Sequence, residues 1–344
     1  MKALVYHGAG NIALEEKLKP TLKVPTDAVV RVTRTTICGT DLHILKGDVP
    51  TVTDGRILGH EGIGVIDAVG VNVSNFAVGD KVLISCITCC GKCSYCRKGM
   101  YSHCVHGGWI LGNTIDGTQA EFVRIPHADM SLHHIPKDAD EDAMVLLSDI
   151  LPTGYECGVL NGRVSPGNTV AIIGAGPIGL AALLTAQFYS PSVTIMVDTD
   201  PHRLEIARTF GATHGIRTDA VNEIMKLTGG IGVDVAIEAV GTPDTFAICQ
   251  SILAPGGHLA NIGVHGKSVE LHLETLWSKN VTITTRLVDT VTTPMLLNSV
   301  LTGTLSPAAL ITHHFLLTDV LTGYDTFRNA GKEKALKVII TNER

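Results

Sequence analysis

Two textures follow one another along this chain. Up to about residue 150, apolar positions alternate with polar ones in short β-branched runs: "DAVVRVTRTTIC" (27–38), "GIGVIDAVGVNV" (62–73) and, after a turn, "VGDKVLI" (78–84). Period two between Gly-rich breaks predicts strands, and no long amphipathic helix is predicted here. After "PTGY" (152–155) continuous apolar runs alternate with helical ones. "NTVAIIGAG" reads as a buried strand, "PIGLAALLTAQFY" as a helix, and "SVTIMVD" as a strand. "PHRLEIARTFG" reads as a helix with Gly211 as its C-cap, and "VDVAIEAVG" and "GGHLANIGV" repeat the theme. Strand–helix alternation predicts a parallel sheet covered on both faces. From about residue 289 the pattern is mixed, ending in "KALKVIITN", a tail expected to return to the first part.

Composition narrows the function classes. At 344 residues, 45% hydrophobic and 17% charged, the chain is long enough for one or two cored globular domains. Net charge is -6 and no basic stripe is visible, so nucleic acid is not an expected partner. No run of about eighteen apolar residues predicts a membrane span. The opening "MKALVYHGAGNIAL" lacks a signal-peptide core, so a cytoplasmic location is expected. Thiols stay reduced there, and the cysteines number nine, which is odd.

Five of those cysteines crowd into "CCGKCSYCRKGMYSHC" (89–104). A disulfide knot, a metal knuckle and a reactive thiol centre compete. Cys90, Cys93, Cys96 and Cys104 are spaced C-x2-C-x2-C-x7-C, which suits four thiolates on one zinc. Gly91 and Gly99 permit sharp turns, and Lys92, Arg97 and Lys98 offset the thiolate charge. A closed four-thiolate shell holds structure and does no chemistry. Cys86 and Cys89 are left over, as ligands or as small core residues.

Gly174, Gly176 and Gly179 form G-x-G-x-x-G between a predicted strand and a predicted helix. The glycines supply the turn, the close approach to a pyrophosphate, and helix–strand packing. Pro177 suits the first turn of that helix. Asp198, nineteen residues past Gly179, would accept bonds from ribose hydroxyls and repel a 2′-phosphate, which points to NAD; Arg203 could also reach the ribose. In the β-rich part, Cys38, His60, Glu61 and Asp149 are candidate ligands of a second zinc with one open position. Singly, each has a plain reading: small hydrophobe, core histidine, helix cap.

"CGTDLH", "GHEGIGVIDAVG", "GDKV", "CGKCSYC" with its following cysteine, and "GAGPIGL" together resemble the zinc-containing medium-chain alcohol dehydrogenases, microbial tetrameric type, along essentially the whole chain. The resemblance implies an α/β fold. A GroES-like, zinc-binding catalytic domain would take 1–149 and 289–344, and a Rossmann NAD-binding domain 150–288. It implies two zinc ions per chain, NAD, a homotetramer, and hydride transfer between NAD and a small alcohol. Residue by residue, Cys38, His60 and Asp149 match the catalytic zinc ligands, and Glu61 an alternative ligand. Thr40 matches the hydroxyl that contacts the substrate oxygen, His43 the relay histidine, and Asp41 the carboxylate behind the zinc-bound histidine. Gly174, Gly176, Pro177, Ile178, Gly179, Asp198 and Arg203 match the coenzyme site, and Cys86 and Trp109 the substrate pocket. Asp149 departs from the cysteine of the liver-type enzymes, which bears on substrate. The rival readings are a polyol, amino-alcohol (sorbitol- or threonine-type) or formaldehyde dehydrogenase, and a non-catalytic zinc-bearing binding protein.

Overall fold

The computed structural model describes residues 1–342. Two compact units divide the chain: Met1–Asp149 together with the segment from Asp289 on, and Ile150–Val288. The first unit opens with strands β1 (Lys2–Tyr6), β2 (Ile12–Glu16), β3 (Ala28–Ile37), β4 (Arg56–Ile57), β5 (Gly62–Val69), β6 (Lys81–Ile84), β7 (Phe122–Ile125) and β8 (Leu132–His134). The second contributes β9 (Thr169–Ile173), β10 (Val193–Val197), β11 (His214–Ile216), β12 (Val233–Glu238), β13 (Leu253–Asn261) and β14 (Thr282–Thr285). The chain then rejoins the first unit through β15 (Ile311–Leu316) and β16 (Lys337–Thr341).

The main sheet of the first unit runs β15-β16-β3-β5-β6-β8, with β7 also on β3. The alternation in β3 and β5 feeds an apolar layer of Val30, Val32, Ile66, Val82, Ile84, Val123 and Ile125. A second layer joins Ile37, Ile44 and Leu45 to Val338, Ile340 and Tyr324 from the tail. Each such fully buried aliphatic side chain is worth about 1.5–3 kcal/mol, so the tail is part of the core. Antiparallel pairing of β16 with β3 sets Val338 opposite Ile37. Register shifts at Val29/Val30 and Val32/Arg34 kink β3, a device that re-aims side chains beside sites.

The second unit is a six-stranded parallel sheet in the order β11-β10-β9-β12-β13-β14. Its helices start where local chemistry says they should. Pro177, Pro201 and Pro243 each open one, where the missing N–H has no helical partner to lose. Asp200 caps the second through His202 N, and Thr242 caps the third through Thr245 N. Gly211 lies one residue beyond the actual C-cap, Phe210, at φ 95°. The helix Gly39–Lys46 has no counterpart in the sequence reading: "GTDLHILK" buries only Asp41, Ile44 and Leu45, too few apolar positions to show a period. Among the described residues no helix is long and apolar enough to cross a membrane.

Candidate active site

Four donors from three separate segments meet in the first unit. Cys38 directly follows β3 and stands at the N-cap of the helix Gly39–Lys46. His60 and Glu61 follow Gly59, whose φ of 91° and whose closeness to Gln119 exclude a side chain: a Cβ there would lie 2.6 Å from Gln119 Cγ. Asp149 comes from the segment after the helix Glu141–Val145. One donor atom of each of Cys38, His60, Glu61 and Asp149 lies within 4.8 Å of all the others. Asp149 Oδ2 is 3.4 Å from His60 Nε2 and 3.7 Å from Cys38 Sγ. Asp149 Oδ1 accepts from the Cys86 thiol at 3.6 Å.

Cys38 and Glu61 are fixed from behind. Asp41 Oδ2 accepts from Cys38 N at 2.9 Å and from Gln119 Nε2 at 3.0 Å, and Tyr324 Oη donates to Gln119 Oε1 at 2.8 Å. Asp41 Oδ1 lies 4.0 Å from His60 Nδ1, on the side an orienting carboxylate would occupy but beyond hydrogen-bond length. Glu61 Oε1 receives the Lys337 ammonium at 2.7 Å, and Glu61 Oε2 the Thr36 hydroxyl at 2.5 Å. The Glu61 carbonyl accepts from Thr35 and Thr118, each at 2.7 Å.

The electrostatics ask for a cation. Burial pushes the Cys38 thiol and the Asp41 carboxyl up. Burial opposes a charged His60, yet Asp149 and Cys38 outweigh it and raise its pKa well above the ordinary value. A buried thiol, imidazole and two carboxylates facing one small volume suit a divalent cation. Thiol, imidazole and carboxylate form a donor set that suits zinc. Thr40 and His43 lie one turn apart on the helix that Cys38 caps, and His43 Nδ1 hydrogen-bonds Asp48 Oδ2 at 2.9 Å. Trp109 stands edge-on to the His60 ring, with centroids 6.2 Å apart. Cys86 is buried, with its thiol turned to Asp149.

The cysteine-rich loop forms the second centre. Sulfurs of Cys90, Cys93, Cys96 and Cys104 cluster within 4.8 Å. All nine cysteines are free thiols, and Cys90 Sγ and Cys96 Sγ are 4.0 Å apart, about twice an S–S bond. Backbone N–H groups already point at sulfur: Cys90 N at Cys104 Sγ (3.2 Å), Cys96 N at Cys93 Sγ (3.5 Å) and His106 N at Cys104 Sγ (3.5 Å). The Cys96 and Val105 amides bring the Cys93 thiol down to about 6. Gly91 and Gly99 turn the loop at φ 70° and 73°. The donor set fits zinc here too. Cys89 is buried against Cys96 and Cys104 without joining the four sulfurs.

In the second unit, Gly174 (φ 106°) turns the chain out of β9, and Gly176 caps the helix Pro177–Ala186. A Cβ on Gly179 would strike the Gly174 carbonyl oxygen. Asp198 Oδ2 accepts from Ala175 N at 2.7 Å, which ties the acid to the glycine turn. Arg203 lies 3.8 Å from both Asp198 and Asp200. A cavity of about 500 Å³ opens here, lined by Gly174, Gly176, Asp198, Arg203, Arg217 and Val240. The helix N-terminus and its free N–H groups fit an anionic dinucleotide.

The alcohol dehydrogenase GroES-like domain matches residues 24–137, and the zinc-binding dehydrogenase domain matches residues 177–298. An alcohol dehydrogenase of Cupriavidus necator is 36% identical over 99% of this chain and 98% of its own. The chain belongs to the zinc-type alcohol dehydrogenases. The apo structure of zinc dependent alcohol dehydrogenase 2 from Streptococcus pneumonia is 55% identical, with a TM-score of 0.96 over 100% of this chain and 99% of that one. An alcohol dehydrogenase from Thermus sp. ATN1 is 33% identical, with a TM-score of 0.92 over the whole of both chains. As a zinc-type alcohol dehydrogenase, this chain is an oxidoreductase acting on CH–OH groups.

The sequence reading missed Lys337, Gln119, Thr36 and Tyr324 around the first centre, and Arg217 beside the coenzyme cavity. Lys337 left one trace, a cation inside the apolar run "ALKVIIT". Glu238 was also missed: its Oε1 receives Val240 N, Gly241 N and Thr245 Oγ1, and so anchors the loop after β12.

Proposed function

We propose that this chain reversibly oxidises small primary or secondary alcohols to aldehydes or ketones, using NAD and a zinc held by Cys38, His60 and Asp149. The observation that carries this is the convergence of those three donors beside Thr40 and His43. When bound, the metal acts as a Lewis acid that acidifies the alcohol hydroxyl, and the nicotinamide accepts the hydride. The protein's own groups do the rest. The Thr40 hydroxyl accepts the proton of the alcohol and passes its own on towards His43, which is half-exposed and backed by Asp48, and so can release a proton to water. Trp109 stands edge-on to His60 and would give the substrate an apolar neighbour. Asp41 and Gln119 hold the Cys38 end of the site, and Glu61 is an alternative ligand. Cys90, Cys93, Cys96 and Cys104 would hold a second zinc, which would tie the loop together.

Asp198 supports NAD over NADP, since a 2′-phosphate would face its carboxylate. A relative 34% identical, from Thermoanaerobacter brockii, is named an NADP-dependent isopropanol dehydrogenase, and Arg203 and Arg217 in the cavity favour that coenzyme as the second reading. The family resemblance implies a homotetramer; self-association is supported by β14, which ends its sheet, and by the exposed Trp277 (78%) and Leu273 (60%) that precede it. Nine free thiols suit the cytoplasm. Initial rates with NAD and with NADP test the reading, over short primary and secondary alcohols, benzyl alcohol, sorbitol, threonine and formaldehyde, with and without a zinc chelator. Chelator-sensitive turnover of simple alcohols with NAD is expected. Turnover confined to sorbitol, threonine or formaldehyde would overturn the substrate class, and none with either coenzyme would overturn the activity.

A further inference from the structure

Four protein donors are one too many for a metal that must also take a substrate oxygen. Cys38, His60, Glu61 and Asp149 all present an atom to the same small volume. Filling four positions with protein would give the closed shell of a structural site. One donor has to be held back, and Glu61 is bound on both of its oxygens. Asp149 Oδ2 faces Cys38 and His60, and its Oδ1 accepts from the Cys86 thiol. Glu61 has the Lys337 ammonium on one oxygen at 2.7 Å and the Thr36 hydroxyl on the other at 2.5 Å. Glu61 and Lys337 are each 1% exposed. If Glu61 moved onto the metal, it would strand a buried ammonium out of reach of water, a heavy cost for an unpaired charge.

We propose that Lys337 is a positioning residue for the metal centre. By holding Glu61 it leaves Asp149 as the third ligand and keeps the fourth coordination position open to the alcohol. The inference rests on the zinc reading above. The ammonium arrives from the far end of the chain: β16 pairs with β3 so that Val338 sits opposite Ile37, the residue before Cys38. The last strand of the core therefore decides whether the centre is open or closed.

The test uses zinc-loaded full-length protein as wild type, Lys337→Met, Lys337→Arg, Lys337→Met/Glu61→Gln and Cys38→Ser. Zinc transfer to a chromogenic chelator is followed in time, and the visible spectrum is recorded after cobalt replacement, alongside kcat and KM. Cys38→Ser identifies the release phase of this centre. In that phase Lys337→Met should release zinc about tenfold more slowly and turn over about tenfold more slowly. Its cobalt spectrum should change, because Glu61 now ligates. Lys337→Arg keeps the charge and stays near wild type. The double variant has no carboxylate to swing in and recovers both rates. Release from Lys337→Met at the wild-type rate or faster, or no recovery in the double variant, overturns the inference. So does a single variant that fails to fold while the double variant folds, since the pair would then be structural alone. If Cys38→Ser still holds two zinc ions, the zinc reading itself falls.

Discussion

Two glycines of the G-x-G-x-x-G turn, three residues apart, are expected to fail in different ways. A Cβ on Gly179 would meet the Gly174 carbonyl oxygen, a backbone atom that cannot rotate away, and would lie 3.4 Å from Ala239 Cβ. A Cβ on Gly176 would meet nothing nearer than Arg203 Nη1 at 3.9 Å, and Gly176 has φ -72°, ordinary for alanine. Gly179→Ala therefore has to push the helix Pro177–Ala186 off β9. Overpacking of this kind costs about 3 kcal/mol, which lowers the Tm of a unit this size by roughly 10 °C. Gly176→Ala loses at most about 1 kcal/mol as a poorer N-cap. Its methyl would instead meet open space beside the cavity that Gly176 lines, where the coenzyme phosphates are expected. Weaker NADH binding by about 10- to 100-fold is expected, or about 1.4–2.7 kcal/mol. Thermal melts without coenzyme and NADH fluorescence titrations separate the two effects. If Gly176→Ala melts as low as Gly179→Ala, or binds NADH as wild type does, the assignment of one glycine to packing and the other to phosphate approach is refuted.

Other expectations follow from single groups. Cys96→Ser should cost one zinc per chain by metal analysis and lower Tm by roughly 10 °C, leaving the other zinc in place. His43→Ala should lower kcat for alcohol oxidation about 10²-fold near neutral pH and less at high pH, where hydroxide takes the proton; a flat ratio across pH would remove His43 from the proton path. Burial holds His133 neutral, with its pKa lowered to about 4 against an ordinary 6.5. A depressed histidine is stabilising above its unfolded value, and that contribution is lost as pH falls from 6.5 to 4. Urea melts should show about 2–3 kcal/mol disappearing across that window, and His133→Gln should flatten the slope.

What the sequence alone determined were the features whose partners are close along the chain. Cys90, Cys93, Cys96 and Cys104 span one loop, so spacing was enough to expect four sulfurs in one cluster. The coenzyme turn was equally legible, because its strand, glycines and helix are contiguous and Asp198 follows at the end of the next strand. That the second unit is a parallel sheet came from alternating strand and helix patterns, while its strand order did not. Cys38, His60 and Asp149 were legible mainly through resemblance, since no local spacing joins them. Only tertiary structure decided what stands behind them. Lys337 reaches Glu61 across 276 residues, Tyr324 reaches Gln119 across 205, and Gln119 reaches Asp41 across 78. The short helix carrying Thr40 and His43 was silent as well, because eight residues with two buried aliphatics take their stability from the core they lie on. Local motifs record bonds between neighbours. The balance between an open and a closed metal centre depends instead on the register of the last strand against β3, and a register is fixed by packing a whole sheet face.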